Sequence, residues 1–209
     1  THYYPSTSWW EWAWKEFYPL KVSEDFAAMR RAGYRIVRVW TDPVIDEKVL
    51  RSMDVAIQLA SDNGIVLDIC VFTQWVRQMG FERPSGEHVL FEYRNIQDFN
   101  VVSFSLRNLD LQREFVSILG RRWKNAGNIF YNLANEVYLK DPDELQMDKE
   151  VANWEDIPDN NGTLRDSLLF RKWANEMTTA IRMTGASQHV MPGYMFSTLD
   201  GGDVYLGNT

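Results

Sequence analysis

Apolar residues recur three and four positions apart in four stretches of this chain, and short β-branched apolar runs lie between them. Phe26 and Met29 mark the inner face of a predicted helix from Ser23 to Ala32, with Ser23 as N-cap and Gly33 as its stop. Tyr34 to Trp40 then reads as a strand. Asp42-Pro43 breaks the chain, and a helix from Asp46 to Asn63 aligns Val49, Met53, Ala56 and Ala60. Gly64 ends that helix, and Ile65 to Val71 reads as the next strand. Leu111, Phe115, Ile118 and Leu119 share one face of a helix from Leu109 to Lys124, which is followed by a strand from Ile129 to Ala134. A last helix, Leu164 to Thr184, carries Leu169, Trp173, Met177 and Ile181. His189 to Met195 reads as a final strand, weakened by Pro192, which lacks a ladder donor. Phe72 to Asn108 and Val137 to Gly162 show no strong period, and loops of that length in a compact domain are usually functional or mobile.

Apolar strands alternating with amphipathic helices predict an α/β fold with a parallel sheet covered by helices. Two closures satisfy this, a (β/α)8 barrel and a doubly wound open sheet. No glycine-rich phosphate turn follows any strand, which favours the barrel. No linker divides the chain, so one domain is expected over residues 1–209.

Composition narrows the partners. A net charge of -7 and a pI of about 5.0 argue against nucleic acid. Arg121, Arg122 and Lys124 are basic at helical spacing and read as a solvated face. No apolar run approaches the ~20 residues of a membrane span. The single cysteine, Cys70, excludes an internal disulfide and reads as a small core hydrophobe. His2, His88 and His189 lack ligand spacing, and the acidic stretch from Asp141 to Glu150 lacks the glycine of a calcium loop. No metal or cofactor is therefore expected. Trp (9), Tyr (9) and Phe (11) are abundant, and flat aromatic faces suit sugars as well as cores. Asn161-Gly162-Thr163 fits a glycosylation acceptor, a pattern common by chance. The chain opens on Thr1-His2-Tyr3-Tyr4-Pro5 without an initiator Met, which reads as a processed or excised piece.

The run Ile129-Phe130-Tyr131-Asn132-Leu133-Ala134-Asn135-Glu136 resembles the fourth strand of clan A glycoside hydrolases, most closely family 5. Three further segments agree in order: His2-Tyr3-Tyr4-Pro5 with the end of a first strand, Asp25 to Arg38 with the first helix and second strand, and Asn125 to Ile129 with the approach to the fourth. The resemblance implies a retaining enzyme acting on β-linked sugars through a glycosyl-enzyme intermediate, without a cofactor, and secreted or periplasmic. It implies strands one to five of a (β/α)8 barrel here. One helix and one strand follow Glu136, so strands six to eight, and the nucleophilic Glu ending strand seven, are expected outside this chain.

Cleaving a glycosidic bond needs an acid to protonate the leaving oxygen and a second carboxylate to attack carbon or activate water. By resemblance Glu136 is the general acid/base and Asn135 donates to the sugar 2-hydroxyl. Otherwise they are a surface carboxylate and a turn residue. Arg38, charged inside an apolar strand, needs a carboxylate partner. The resemblance makes that partner the nucleophile, and Asp68 is the alternative. His2 and Tyr3 are candidates for the pocket floor. Trp75 and the Trp9, Trp10, Trp12 and Trp14 cluster are candidates for sugar stacking or simple packing, and Tyr194, ending the last strand, is a candidate to face the cleft. Asp68, within the third strand, and Asp200 and Asp203, after the last one, are the candidates for a second carboxylate facing Glu136, and none is expected to complete the pair. The rival functions are a non-catalytic carbohydrate-binding barrel, and an unrelated barrel isomerase or lyase.

Overall fold

The computed structural model describes residues 2–3, 13–72, 78–92, 106–134 and 162–192. Its elements run α1 (Pro19–Arg31), β1 (Ile36–Trp40), β2 (Val44–Ile45), α2 (Glu47–Asp62), β3 (Val66–Phe72), β4 (Gln78–Glu82), β5 (His88–Glu92), α3 (Leu106–Trp123), β6 (Ile129–Ala134), α4 (Gly162–Arg182) and β7 (Val190–Met191). Helix α1 begins a turn earlier than Ser23. Pro19, with its fixed φ and no N–H to satisfy, opens it, and extended Tyr18 is the N-cap. For α2 the expected span, Asp46 to Asn63, holds to within a residue at each end; Asp46 is its N-cap, the carboxylate accepting from the Val49 N–H at 2.8 Å.

Strands β1, β3, β6 and β7 form one sheet in that order, every pair parallel. On the far side of β1, His2 bridges Arg38 in parallel, and the Tyr3 N–H donates to the Arg38 carbonyl at 2.9 Å. Each strand lies beside the preceding one without a reversal of direction, whereas a doubly wound sheet reverses at a switch point. Right-handed crossovers taken in one direction put their helices on one face of the sheet. Val37, Val39, Leu67, Ile69, Tyr131 and Leu133 occupy that face and are buried in the main core with Val49, Met53, Phe115 and Leu119 of the helices. The Tyr131 hydroxyl reaches across to the Leu119 carbonyl of α3 at 3.3 Å. Gln188 fixes the approach to β7 by donating from Nε2 to the carbonyls of Trp123, Lys124 and Ala126, where α3 ends.

The stretch read as aperiodic after Phe72 contains a hairpin. β4 and β5 pair antiparallel, and β2 joins β4 in parallel to make a second, three-stranded sheet. Met79, Phe81, Val89 and Phe91 alternate inward, with Phe81 and Phe91 packing edge-on against Phe115. The turn carries Gly86 at φ +84°, a conformation that favours glycine. Gly80 lets the strands close, since a Cβ there would lie 2.5 Å from the Val89 carbonyl oxygen. The final strand is shorter than the span His189 to Met195, of which residues 193–195 lie outside the described residues.

Helix α3 meets the end of α4 at Gly120, where a Cβ would come within 2.7 Å of Thr184 Oγ1. Arg113 bridges the same two helices to Glu176 at 2.8 Å. Gly120→Val is expected to destabilise the protein by about 1–3 kcal/mol through overpacking, read as a lowered urea midpoint with an unchanged slope.

Candidate active site

Side chains alternate across a strand, and register partners in a parallel sheet share a face. With Val37, Leu67 and Tyr131 on the helix side, the opposite face carries Arg38 and Trp40 from β1, Asp68 and Cys70 from β3, and Phe130 and Asn132 from β6. This inner face is polar at its centre. Arg38 Nε donates to Asp68 Oδ2 at 2.6 Å, directly across the β1–β3 register. The charged residue noted inside an apolar strand thus has a carboxylate partner within this chain. The Asp68 side chain is 7% exposed and that of Arg38 26%, so the pair is far less screened than a surface bridge.

His2 sits beside this pair. Its ring stands edge-on to Trp40 with centroids 5.1 Å apart and planes at 86°. Arg38 and His2 share this face. Tyr3 is a correction to the expected pocket floor. It is buried against Phe26 of α1, and its hydroxyl donates to Asp25 Oδ2 at 2.9 Å, on the helix side. The physical reason is alternation: with His2 on the inner face, the next residue faces the helices. Burial, and then the hydrogen bond to Asp25, raise the Tyr3 hydroxyl far above its ordinary pKa.

Asn132 is fully buried on the inner face, opposite Cys70 and two residues along the register from Asp68. Neither end of its amide, nor Asp68 Oδ1, has a hydrogen-bond partner among the described residues. A buried amide without partners costs about 1–3 kcal/mol. Asn132→Leu, of similar volume, is accordingly expected to raise stability by about that amount in urea unfolding. A loss instead would mean that the amide is satisfied in solution.

At the carboxyl end of β1 lies a group the sequence reading passed over. Asp42, seen there only as part of a chain break, is 1% exposed and accepts from the N–H groups of Trp14 at 3.2 Å and Lys15 at 3.0 Å. Trp14 is itself 1% exposed, packs on Phe17, and donates from its indole N–H to the Trp40 carbonyl. Of the two roles open to the tryptophan cluster, Trp14 therefore takes packing. Glu136, Asn135, Trp75, Trp9, Trp10, Trp12, Tyr194, Asp200 and Asp203 lie outside the described residues. Among the described residues no His, Cys, Asp and Glu cluster could hold a metal, and no helix is long and apolar enough to cross a membrane.

Sequential parallel strands, helices on one face and a polar opposite face define a singly wound α/β fold. No protein-family model matches the chain, and neither does any curated protein. Solved structures do match. An exo-β-1,4-mannosidase from Opitutaceae bacterium strain TAV5 aligns over 92% of this chain and 31% of its own, at 16% identity and a TM-score of 0.60. A GH5_18 protein from Streptomyces cattleya in complex with GlcNAc aligns over 91% and 42%, at 16% identity and TM-score 0.55. A GH5_18 variant from Bifidobacterium longum subsp. longum in complex with Manβ1-4GlcNAc aligns over 93% and 42%, at 15% identity and TM-score 0.55. The chain has the fold shared by these solved structures, and it spans less than half the length of each.

Proposed function

We propose that these residues are strands one to five of a (β/α)8 barrel from a retaining glycoside hydrolase acting on β-linked sugars. The first strand would be the segment bridging Arg38, and the next four β1, β3, β6 and β7. Glu136 is the general acid/base and Asn135 the donor to the sugar 2-hydroxyl. The nucleophilic carboxylate comes from outside these 209 residues, which alone are expected not to turn over an aryl β-glycoside.

The observation that carries this reading is the course of β6. It is parallel and internal between β3 and β7, it ends at Ala134, and Asn135-Glu136 follow it directly in the chain. In barrel enzymes the carboxyl ends of the strands are where catalytic groups sit. An acid that must hold its proton near neutral pH needs the partly desolvated setting such an end provides. Arg38 and Asp68 add charge to the inner face, and the solved proteins of like fold include a β-1,4-mannosidase and a complex with Manβ1-4GlcNAc.

The full-length gene product, incubated with β-1,4-mannobiose and cellobiose, tests the proposal. Hydrolysis of at least one, with the β-anomer released first as followed by proton NMR, is the expected result. Release of the α-anomer first would place the two carboxyl groups at the wider inverting separation of ~6.5–9.5 Å. Binding without hydrolysis would favour a carbohydrate-binding barrel.

A further inference from the structure

We infer that Asp42 is a positioning residue for the His2–Trp40 wall of the inner face, acting through the turn Ala13–Glu16. This inference rests on the reading of that face as sugar-binding. A chain of contacts links Asp42 to the wall. Thr41 is tied to β3 twice, its N–H donating to the Cys70 carbonyl at 3.0 Å and its hydroxyl to the Val71 carbonyl at 2.8 Å. That fixes the backbone from which Asp42 projects. The two Asp42 carboxylate oxygens then take the N–H groups of two successive residues, Trp14 and Lys15. Held there, the Trp14 indole donates to the Trp40 carbonyl, and the Trp40 ring abuts His2. His2, exposed, is the outermost member and borders Arg38.

The contacts call for an acid at this position. The two neighbouring N–H groups each take a separate oxygen, Trp14 on Oδ1 and Lys15 on Oδ2, and an amide would set an NH2 donor against one of them. The group is nearly inaccessible, so each bond is made in a medium that strengthens it, and a lost acceptor leaves a buried N–H unpaired. Burial pushes the carboxyl up to about 7, against the pull of the same two N–H groups and of Lys15. The fold thus tolerates a costly buried acid where a serine or asparagine could have ended the strand. A requirement for the geometry of the Trp14 turn accounts for it.

The test uses the full-length gene product with Asp42→Ala and Asp42→Asn, the second keeping the volume and one acceptor. Two quantities are read at a pH above 7, β-1,4-mannobiose affinity by calorimetry with Glu136→Ala in every sample to prevent turnover, and hydrogen exchange of the Trp14 and Lys15 amides by NMR. Asp42→Ala is expected to weaken affinity roughly tenfold, since small misplacements at a site have disproportionate effects. The two amides should exchange roughly 100-fold faster while core amides of β3 keep their protection. Asp42→Asn should fall between, and it carries the test if the alanine variant does not fold. Faster exchange with unchanged affinity would overturn the positioning role and leave a structural anchor. Unchanged exchange would overturn the anchor itself. Failure of the protein with Asp42 intact to bind mannobiose or cellobiose would defeat the sugar-binding reading and this inference with it, and the exchange data would still show whether the anchor exists.

Discussion

Glu136→Ala in the full-length gene product is expected to lower turnover of β-1,4-linked disaccharides roughly 1000-fold, within the range that a positioned general acid/base supplies. Such substrates leave as sugar alkoxides unless they are protonated, so loss of the acid falls on the bond-breaking step. An aryl glycoside with an acidic phenol departs without help, so its first step should be largely spared. The variant should then accumulate glycosyl-enzyme, because the same carboxylate later activates water. A burst of phenol followed by slow turnover is the signature to look for. Undiminished activity on the disaccharides would show that Glu136 is not the acid.

The second large effect is on stability and comes from Asp42. Burial raises its carboxyl from an ordinary 3.8 to about 7, opposed by the N–H bonds from Trp14 and Lys15 and the charge of Lys15, and aided by the charge of Asp46. Between those two values the folded chain holds a proton that the unfolded chain has lost, so stability falls as pH rises through this window. At 1.36 kcal/mol per pH unit the fall is on the order of 4 kcal/mol, absent below the lower value and complete above the upper one. Other groups slope the opposite way. Glu114, for example, is held low by its hydrogen bonds to Arg83 and so loses stability as pH falls. The measurement is therefore a difference: urea stability of the wild type minus that of Asp42→Asn across this pH range. A flat difference would mean that Asp42 titrates normally and is not desolvated in solution.

The parallel sheet was legible because its strands are mostly apolar runs and its helices have clean stops. Gly33 and Gly64 are both at positive φ where the sequence put helix ends. Arg38 announced itself as a charge among valines, and Asp68 was already its named alternative partner. What stayed hidden has specific causes. β4 alternates correctly, but Gly80 interrupts its pattern, and five residues are too few for a period to emerge beside a long loop. The start of α1 was misplaced because Ser23 looks like a cap while Pro19, which opens the helix, can also signal a turn. Asp42 was invisible as an anchor because its partners are backbone N–H groups, which any sequence provides, 27 and 28 positions away. Which way Tyr3 faces could not be read from two residues of strand. The carboxylate expected to do the chemistry was named from a resemblance, and no pattern of period or charge singles it out.

The small sheet of β2, β4 and β5 joins two connections that the chain makes at separate points, one after β1 and one after β3. In most barrels such loops can be exchanged or lengthened one at a time, which is how one scaffold comes to serve many chemistries. Here that independence is gone. Transplanting Gln78–Glu92 without Val44–Ile45 would strip β4 of its parallel neighbour and expose a row of unpaired backbone groups, an edge prone to pairing with other chains. Recombination between this protein and one of like fold should therefore succeed only when both segments cross over together. The pair behaves as one heritable unit, and a library that shuffles it intact should keep soluble members that single-loop libraries lose.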